Sequence, residues 1–423
     1  MKKLTIAIAG LGSRGKNAYA KALLQMTDKA QVVAIADLDP EKRRLVASAH
    51  HVPAEHCYET IEEMLAQPKL ADAMIICSQD QQHIPHALPA LKKGYHVLLE
   101  KPISPSREEC NLLHRVATQE NRKVVVCHVL RYAPIYRKIK EVLDSGVLGQ
   151  LMNIMSLENV AYWHQAHSFV RGNWRKCEES APMILAKSCH DMDLMVWLTG
   201  RKCNQVSSFG SLGHFKPECA PAGAAKRCLD GCKAKANCPY DAEKIYLTNP
   251  ATGLLAGKTG WPCNILAVEP TEESIRKAIA EGPYGRCVYY CDNDVVDHQV
   301  VNLEMEGGLT VSFTMSAFMA DTGRYTKFMG THGHMVADMD ANTVTVTPFC
   351  GETVVYDIGK ASQSSGHGGG DARLVESFLA YINGENPPNI TTLEDSLESH
   401  YICMAAEASR LAGGQAVNVA DFR

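Results

Sequence analysis

A glycine-rich turn near the start of the chain has the residue types and spacing that bind a phosphate-bearing cofactor. The turn, Gly10-Leu11-Gly12-Ser13-Arg14-Gly15, follows an apolar segment at 4–9 and precedes a helical pattern that extends to Met26. Its first glycine permits a tight bend, its second lets backbone approach a diphosphate, and its third lets the helix pack on the strand. The helix N-terminus adds amide donors and a positive dipole. We therefore predict a dinucleotide site that includes Gly10, Gly12, Ser13, Arg14 and Gly15.

An acidic residue indicates which dinucleotide binds. Asp37 ends a second apolar segment at 32–36, about twenty residues beyond the turn, where a carboxylate accepts hydrogen bonds from ribose hydroxyls. Because the same carboxylate repels a 2′-phosphate, NAD is predicted over NADP. Arg14 and the pair Arg43-Arg44 would weaken that preference if they reached the ribose.

Another predicted strand delivers a lysine. The apolar segment 96–99 is followed by Glu100-Lys101-Pro102. Ligands of open α/β sheets bind at the carboxyl ends of parallel strands, and the proline fixes the backbone that aims the lysine. Lys101 is therefore a candidate for contact with cofactor and substrate.

Two later segments carry groups suited to a sugar. Segment 162–175 is dense in aromatic, His and Arg residues, whose indole faces stack on sugar C–H surfaces and whose cations donate to hydroxyls or a carboxylate. We expect His167, Arg171 and Trp174 to bind substrate; a packed loop with satisfied histidines is the alternative. Segment 366–371 is glycine-rich and ends in Asp371, a candidate cap for the helix that follows.

Cysteines cluster in one part of the chain. Of 16 cysteines, eight lie between Cys203 and Cys291. Thiolate spacing in a stretch with few apolar residues predicts a structural zinc bound by Cys228, Cys232, Cys238 and Cys287. Cys219 and Cys291 are rival ligands, and disulfides or free thiols are the alternatives to metal.

Strands and helices alternate through the first part of the chain, which predicts an α/β fold with an N-terminal Rossmann domain at 1–125. The remainder, 126–423, shows several strand patterns and predicts a C-terminal α/β domain with a large open, mostly antiparallel sheet. The cysteine-rich stretch forms an insertion at about 210–292.

Composition excludes several classes of protein. The 423 residues are 46% hydrophobic and 21% charged with a net charge of -4, so the chain can bury a core and offers no basic field for nucleic acid or membrane. The chain shows no signal-peptide pattern and no apolar run long enough to span a bilayer. We therefore expect a soluble cytoplasmic protein with a small-molecule substrate.

The order of motifs resembles the Gfo/Idh/MocA family of NAD(P)-dependent sugar oxidoreductases, in a branch with a cysteine-rich insertion. The shared motifs are the glycine turn, Asp37, His83 before a helix, Glu100-Lys101-Pro102, Arg131-Tyr132-Ala133-Pro134, Ser145-Gly146-Val147-Leu148-Gly149, Cys189-His190-Asp191-Met192-Asp193, Trp197-Leu198-Thr199-Gly200 and Gly330-Thr331-His332-Gly333. They cover nearly the whole chain apart from roughly 210–290.

The resemblance implies a set of roles. It places Lys101 and His190 beside the nicotinamide and the reacting hydroxyl, with Asp193 holding the ring or the helix end. It also implies that Ser78, His83 and Glu100 belong to the cofactor site, that Arg131 and Tyr132 bind substrate, and that the chain forms a homodimer or homotetramer.

One departure changes the expected chemistry. The family's usual aspartate, four residues before the histidine, is Ala186 in this sequence, and Lys187 stands beside it. We expect Lys187 to point into the active site, where two ammonium groups near one hydroxyl would force one pKa to fall. The alternative is that Lys187 faces solvent and His190 alone is the base.

Three functions remain open from the sequence. The first is NAD-dependent oxidation of a ring hydroxyl of a sugar or glycoside. The second is an NAD-dependent glycoside hydrolase that oxidises transiently, eliminates the glycosidic oxygen, adds water and reduces again. The third, a non-catalytic sugar or nucleotide sensor, has no need of Lys101 and His190 together.

Overall fold

The computed structural model describes residues 2–359 and 366–423, apart from the side chains of residues 366 and 367. It contains two sheets. The first has six strands in the order β3-β2-β1-β4-β5-β6, all parallel. The second has nine strands in the order β14-β13-β12-β11-β7-β10-β9-β8-β15, antiparallel except for the β7–β10 pair. Both halves of the predicted α/β fold are confirmed.

The strands of the first sheet are short and apolar, and helices cover both faces, as a buried parallel sheet requires. Its strands are β1 Leu4–Ala9, β2 Ala30–Ala36, β3 Cys57–Tyr58, β4 Ala73–Ile76, β5 His96–Leu99 and β6 Val124–Val126. Its helices are α1, formed by Ser13–Ala20 and Lys21–Leu24, then α2 Pro40–His50, α3 Ile61–Ala66, α4 His83–Lys92 and α5 Arg107–Gln119.

The second sheet buries one face only. In β9, His298–Met305, exposed and buried residues alternate along the whole strand, which is the pattern of a sheet with one covered face. The other strands are β7 Leu151–Ala161, β8 Cys203–Ser211, β10 Thr310–Met319, β11 Gly323–Gly330, β12 Gly333–Asp338, β13 Thr343–Pro348, β14 Val354–Asp357 and β15 Val417–Asn418. The remaining α-helices are α6 Pro134–Asp144, α7 Tyr162–His164, α8 Met183–Ala186, α9 Cys189–Thr199, α10 Cys263–Leu266, α11 Glu272–Glu281, α12 Gly370–Ile382 and α13 Leu393–Leu411.

Helix α12 lies far along the chain but packs against the first sheet. Its Leu374, Val375 and Phe378 are fully buried in the same apolar cluster as Ile6 and Ile8 of β1. The dinucleotide-binding half is therefore completed by a helix that follows the second sheet in sequence.

The residues between β8 and β9 form a small unit with its own apolar cluster. Aromatic and aliphatic side chains fill it: Phe215, Tyr240, Ile245, Tyr246, Leu247, Ile275, Ile279, Val288 and Tyr289. The cysteine-rich stretch 228–238 contributes Cys228 and Cys238 to this cluster, and the aromatic and aliphatic members come from elsewhere in the insertion and meet in the fold. Across the described residues, no helix has the length and apolarity needed to cross a bilayer.

Candidate active site

The glycine turn joins β1 to α1 and leaves space for a ligand. A Cβ on Gly15 would lie 1.9 Å from the carbonyl oxygen of Gly10, so only glycine permits the helix to pack this closely. A Cβ on Gly12 would meet nothing within 4 Å, and no described side chain caps the helix that starts at Ser13. The first-turn amides of that helix therefore remain available to a diphosphate.

Asp37 lies over this turn at the end of β2. Its Oδ2 accepts a hydrogen bond from the Leu11 amide (2.6 Å) and its Oδ1 accepts one from the Asp39 amide (2.9 Å). Each carboxylate oxygen keeps a further lone pair for a ribose hydroxyl. The guanidinium of Arg43 donates to the carbonyl oxygen of Asp37, so this arginine supports the turn backbone.

We predict that NAD binds at least tenfold more tightly than NADP, a difference of about 1.4 kcal/mol, because Asp37 repels a 2′-phosphate. Substituting Asp37→Ser removes the repulsion and should bring the two affinities within about threefold. Titration of both cofactors by calorimetry measures this, with Asp39→Ser, which removes a neighbouring carboxylate but keeps a residue suited to cap α2, as the control. Equal affinities in the wild-type protein would show that Asp37 does not contact the ribose.

Arg14 is turned toward carboxylates. Its Nε donates to Glu100 (2.7 Å), and its terminal nitrogens donate to Asp371 (2.7 and 3.1 Å) and to the hydroxyl of Tyr19. Burial opposes the charge, but these neighbours hold the pKa of Arg14 well above its ordinary value. Arg14 thus ties the glycine turn to Glu100 and to α12, which leaves it unsuited to attract a 2′-phosphate.

Asp371 was a candidate helix cap, and that assignment is wrong. The N-cap of α12 is Gly369, no described side chain caps it, and the Asp371 carboxylate pairs with Arg14 instead. The His367 side chain of the glycine-rich segment lies outside the described residues.

His83 and Ser78 form the wall next to the turn. The His83 ring places Nδ1 2.6 Å from the carbonyl oxygen of Pro102 and Nε2 3.1 Å from that of Ser78. The Ser78 hydroxyl lies 2.9 Å from Nδ1 of His86. His83 is fully buried, so it joins the ends of β4 and β5 and positions the cofactor pocket through backbone.

Lys101 and Lys187 meet at the carboxyl edge of the first sheet. The Lys101 ammonium donates to the carbonyl oxygen of Ala186 (2.6 Å), which places it beside Lys187. His190 follows in the first turn of α9 and is 6% exposed. Lys101 therefore contacts the backbone of the segment 186–190, which carries Lys187 and His190.

Lys187 is held by a buried network that the sequence did not indicate. Its ammonium lies 3.3 Å from Glu158 Oε1 of β7, and Arg324 of β11 donates to both Glu158 (2.6 Å) and Asp191 (2.7 and 3.0 Å). The Lys187 side chain is 16% exposed. Burial, with the nearby cations Arg324 and Lys101, lowers the pKa of Lys187 although Glu158 opposes the shift.

Behind His190 lies a second imidazole that we did not anticipate. The ring centroid of His128 is 5.7 Å from that of His190 and 5.8 Å from that of His400. His128 is fully buried, and neither of its ring nitrogens has a hydrogen-bond partner among the described groups. Burial, and then Arg131 and Lys101, lower the pKa of His128 well below its ordinary value, so the ring is neutral. The sequence signal that could have indicated His128 is its position just after β6, because residues that follow the strands at this edge of the sheet form the site.

The two residues predicted to bind substrate after β6 have internal partners. The Arg131 guanidinium makes two hydrogen bonds to Asp193 of α9 (2.7 and 2.5 Å). The Tyr132 hydroxyl accepts from the Thr391 amide (3.0 Å), and burial raises the pKa of Tyr132 to about 12. Arg131 therefore holds the helix that carries His190, and Tyr132 joins β6 to the segment before α13.

Of the segment 162–175, the structure brings Trp174 to the border of the site. Its Nε1 donates to Asp80 (3.3 Å), just beyond Ser78. His167 and Arg171 instead enter the core of the insertion. The His167 ring stacks on Tyr284 with centroids 4.7 Å apart and lies 2.9 Å from the Tyr246 hydroxyl. Burial and Arg171 lower the pKa of His167 to about 3.

The predicted zinc ligands are free thiols. Cys228, Cys232, Cys238 and Cys287 line one cavity of about 20 Å³. Yet no group of three or more His, Cys, Asp or Glu side chains in the described part of the chain is arranged to hold a metal ion. The predicted tetrahedral zinc geometry is therefore not present there.

Two profiles of one family match the chain. Residues 4–128 match the NAD-binding Rossmann fold of the Gfo/Idh/MocA oxidoreductase family, and residues 140–418 match its C-terminal alpha/beta domain.

Three individual relatives share about a quarter of their aligned residues with the chain. The chain is 24% identical to the putative oxidoreductase YteT of Bacillus subtilis over 88% of each chain. It is 26% identical to inositol 2-dehydrogenase of Corynebacterium glutamicum over 48% of this chain and 57% of that protein. It is 25% identical to 2,7-anhydro-N-acetylneuraminate hydratase of Mediterraneibacter gnavus over 50% of this chain and 53% of that protein. The chain thus aligns with only about half the length of the last two.

Among solved structures, the WlbA dehydrogenase of Bordetella pertussis in complex with NADH and UDP-GlcNAcA superimposes with a TM-score of 0.70 at 17% identity. The match covers 99% of this chain and 98% of that one. This likeness establishes the fold over the whole length of both chains.

Proposed function

We propose that this chain, which belongs to the Gfo/Idh/MocA oxidoreductase family, oxidises a ring hydroxyl of a sugar or glycoside. NAD would be the hydride acceptor. The observation that supports the proposal is the contact of Lys101 with the segment 186–190, which carries Lys187 and His190, at the carboxyl edge of the first sheet. Bound NAD would supply a nicotinamide ring that accepts a hydride. The turn amides and Asp37 are the groups that fit its diphosphate and ribose.

The protein residues manage the hydroxyl proton and its charge. His190, an imidazole on the first turn of α9, is suited to take the proton at neutral pH. Lys101 is placed to donate to the same oxygen, which orients it and stabilises negative charge as the C–H bond weakens. The Arg131–Asp193 pair keeps α9, and with it His190, in position.

Lys187 offers a second base. Burial lowers the pKa of Lys187, which makes its neutral amine easier to form, and Glu158 stabilises the ammonium that results when this amine takes a proton. The two lysines then divide the work: Lys187 takes the proton, and Lys101 donates a hydrogen bond to the oxygen that becomes negative. His190 becomes free to protonate a departing oxygen.

That division of labour favours the glycoside hydrolase cycle as a second candidate. Oxidation of the ring hydroxyl two carbons from the anomeric carbon acidifies the C–H on the carbon between them, and a base and an acid at the same site then allow elimination of the glycosidic oxygen. One relative is named as a hydratase of an anhydro sugar. That activity belongs to the relative, and it is consistent with chemistry of this kind in the family. A sensor without activity is disfavoured by the convergence of three ionisable groups.

One assay separates these candidates. Purified protein is incubated with NAD and a panel of sugars and aryl glycosides, and NADH formation and aglycone release are both recorded. Net oxidation produces NADH in proportion to product, whereas hydrolysis releases aglycone with catalytic NAD. Neither signal across the panel, with NAD bound, would favour the sensor.

We further propose that the uncovered face of the second sheet joins copies of the chain into a homodimer or homotetramer. Large apolar side chains stand exposed on its strands, among them Met155 at 42%, Phe209 at 54%, Val300 at 40% and Phe318 at 44%. Phe209 and Val300 lie opposite each other on β8 and β9. A soluble monomer rarely exposes such a patch.

Val300→Glu should therefore reduce the mass measured by light scattering to that of a single chain. Leu411→Glu, an equally polar change at a residue 71% exposed near the end of α13, should not. A wild-type protein that is already monomeric at micromolar concentration would contradict this interface.

A further inference from the structure

His128 is a buried imidazole whose hydrogen-bonding capacity is unused. It directly follows β6, it is 0% exposed, and neither ring nitrogen has a hydrogen-bond partner among the described groups. A buried polar group without a partner lowers the stability of the folded protein, whereas a phenyl ring at the same place would carry no such cost. Groups of this kind in folded proteins point to a function that needs the polar atoms.

The neighbouring imidazole of His400 has partners of its own. Its Nε2 accepts a hydrogen bond from the Ile103 amide (2.9 Å), and its Nδ1 lies 2.8 Å from the carbonyl oxygen of Ser396. These two contacts fix one neutral tautomer, in which Nδ1 carries the proton. His400 therefore has no nitrogen left for His128, although the two ring centroids are 5.8 Å apart.

The carboxylate of Asp193 is also engaged. Both of its oxygens accept hydrogen bonds from the Arg131 guanidinium, and Oδ1 lies 3.9 Å from Nε2 of His128. That distance is too long for a hydrogen bond. Asp193 therefore lies beside His128 but is directed at Arg131.

His190 is the neighbour that can use His128. The two rings meet edge to face, with centroids 5.7 Å apart and planes at 79°. His190 is 6% exposed and His128 is 0% exposed, so His128 lies on the interior side of the pair. When one nitrogen of an imidazole takes a proton, both nitrogens become donors, and the second N–H needs an acceptor. A neutral imidazole behind the first supplies one.

The surroundings keep His128 neutral, and hence an acceptor. The charged and titratable groups near it, besides His190, are Glu100 and Lys101 after β5, Arg131 on the turn after β6, Asp193 on α9 and His400 on α13. Burial, and then Arg131 and Lys101, lower the pKa of His128 well below its ordinary value. A proton on His128 would face these two cations, so the ring accepts a hydrogen bond without taking the proton.

We propose that His128 is a positioning residue for His190, which accepts a hydrogen bond from the second ring nitrogen of His190 when the first carries a proton. The proposal rests on the proposed function, in which His190 takes the hydroxyl proton as the hydride leaves for NAD. The O–H bond breaks, an N–H bond forms on His190, and no proton passes to His128. The hydrogen bond stabilises the imidazolium and holds its ring toward the substrate.

The first measurement needs no substrate. The pKa of His190 is determined by NMR of protein with ¹⁵N-labelled histidine rings, and its signal is identified by its loss in His190→Ala. His128→Phe should lower the pKa of His190 by at least about one unit, because the imidazolium loses its acceptor. His50→Phe is the matched control, at a histidine whose Nε2 lies 3.0 Å from the carbonyl oxygen of Ala20, and it should shift that pKa by less than about 0.3 units.

Stability and rescue separate this role from a structural one. The urea midpoint of His128→Phe should equal or exceed that of the wild type, because no described hydrogen bond is lost, whereas His400→Phe should unfold at lower urea. If His128→Phe does not fold, His128→Leu takes its place. His128→Asn and His128→Gln carry an amide oxygen near the positions of Nδ1 and Nε2, and one of them should restore at least about half of the pKa shift.

Turnover is the last readout. With a sugar that gives NADH, His128→Phe should lower kcat at least about tenfold and leave KM within about threefold. A pKa of His190 that is unchanged in His128→Phe or its replacement would overturn the proposal, whatever the activity. If the pKa falls as expected but no sugar is oxidised, the hydrogen bond stands and the proposed oxidation fails.

Discussion

Lys187→Met should lower kcat/KM at least tenfold, about 1.4 kcal/mol of lost transition-state stabilisation, while NAD affinity stays within about threefold. The reason is the position of the ammonium, buried beside Lys101 with a lowered pKa and held by Glu158. His190→Ala should cost more, about 10²–10⁴-fold, as expected for a general acid or base. Both are measured by steady-state kinetics with cofactor binding determined independently.

The pH profile distinguishes a proton-transfer role from a structural one. If Lys187 exchanges a proton during turnover, one ionisation should disappear from the profile of kcat/KM in both Lys187→Met and Lys187→Arg, because a guanidinium keeps its proton throughout the accessible pH range. Lys140→Met, at a surface lysine that pairs with Asp144, is the matched control and should leave the profile unchanged. Retention of more than about a third of wild-type kcat/KM in Lys187→Met would show that the assigned role is wrong.

Arg324→Met should destabilise the folded protein by about 3–5 kcal/mol, the loss typical of breaking a buried ion pair. Arg324 is the shared partner of Glu158 and Asp191, whose side chains are 0% and 1% exposed. Its removal leaves both carboxylates buried without the guanidinium, and among the described ion pairs Lys187 reaches Glu158 but not Asp191. Urea denaturation followed by circular dichroism gives the free energy of unfolding.

Arg175→Met provides the comparison for that experiment. Arg175 forms ion pairs with Asp292 and Glu179, two acids that are 49% and 43% exposed. Exposed pairs contribute about 0–1 kcal/mol, so this variant should unfold near the wild-type midpoint. A loss below about 1 kcal/mol in Arg324→Met would mean that water or repacking satisfies the carboxylates.

The dinucleotide site was predictable because its signals are local. The glycine turn, Asp37 and Lys101 each sit at the end of a short apolar segment, and parallel strands place such ends on one edge. His190 and Lys187 required the family resemblance, since nothing adjacent in sequence shows that their helices approach that edge.

The network around Lys187 could not be predicted in the same way. Glu158 and Arg324 lie in β7 and β11, 166 residues apart along the chain. Each looks like an ordinary polar residue of a half-exposed strand. Only the antiparallel register, which places Arg324 opposite Glu158, makes them partners.

Local composition did not predict where the side chains of His167 and Arg171 lie. Both residues were expected to bind a sugar because they belong to an aromatic, cationic segment. Instead, His167 contacts Tyr246 and Tyr284, and Arg171 donates to the carbonyl oxygen of Tyr240, so both lie in the core of the insertion. The same scattered aromatic residues order the insertion by burial, which local hydrophobicity did not indicate.

The return of α12 to the first sheet limits how this chain can be divided or recombined. A fragment that ends after β6 would carry the glycine turn and Asp37, but it would expose the apolar surface that Leu374, Val375 and Phe378 cover. It would also leave Arg14 without its ion pair to Asp371. Such a fragment should aggregate, and a chimera that exchanges cofactor preference with a relative must therefore transfer two separate stretches of sequence together.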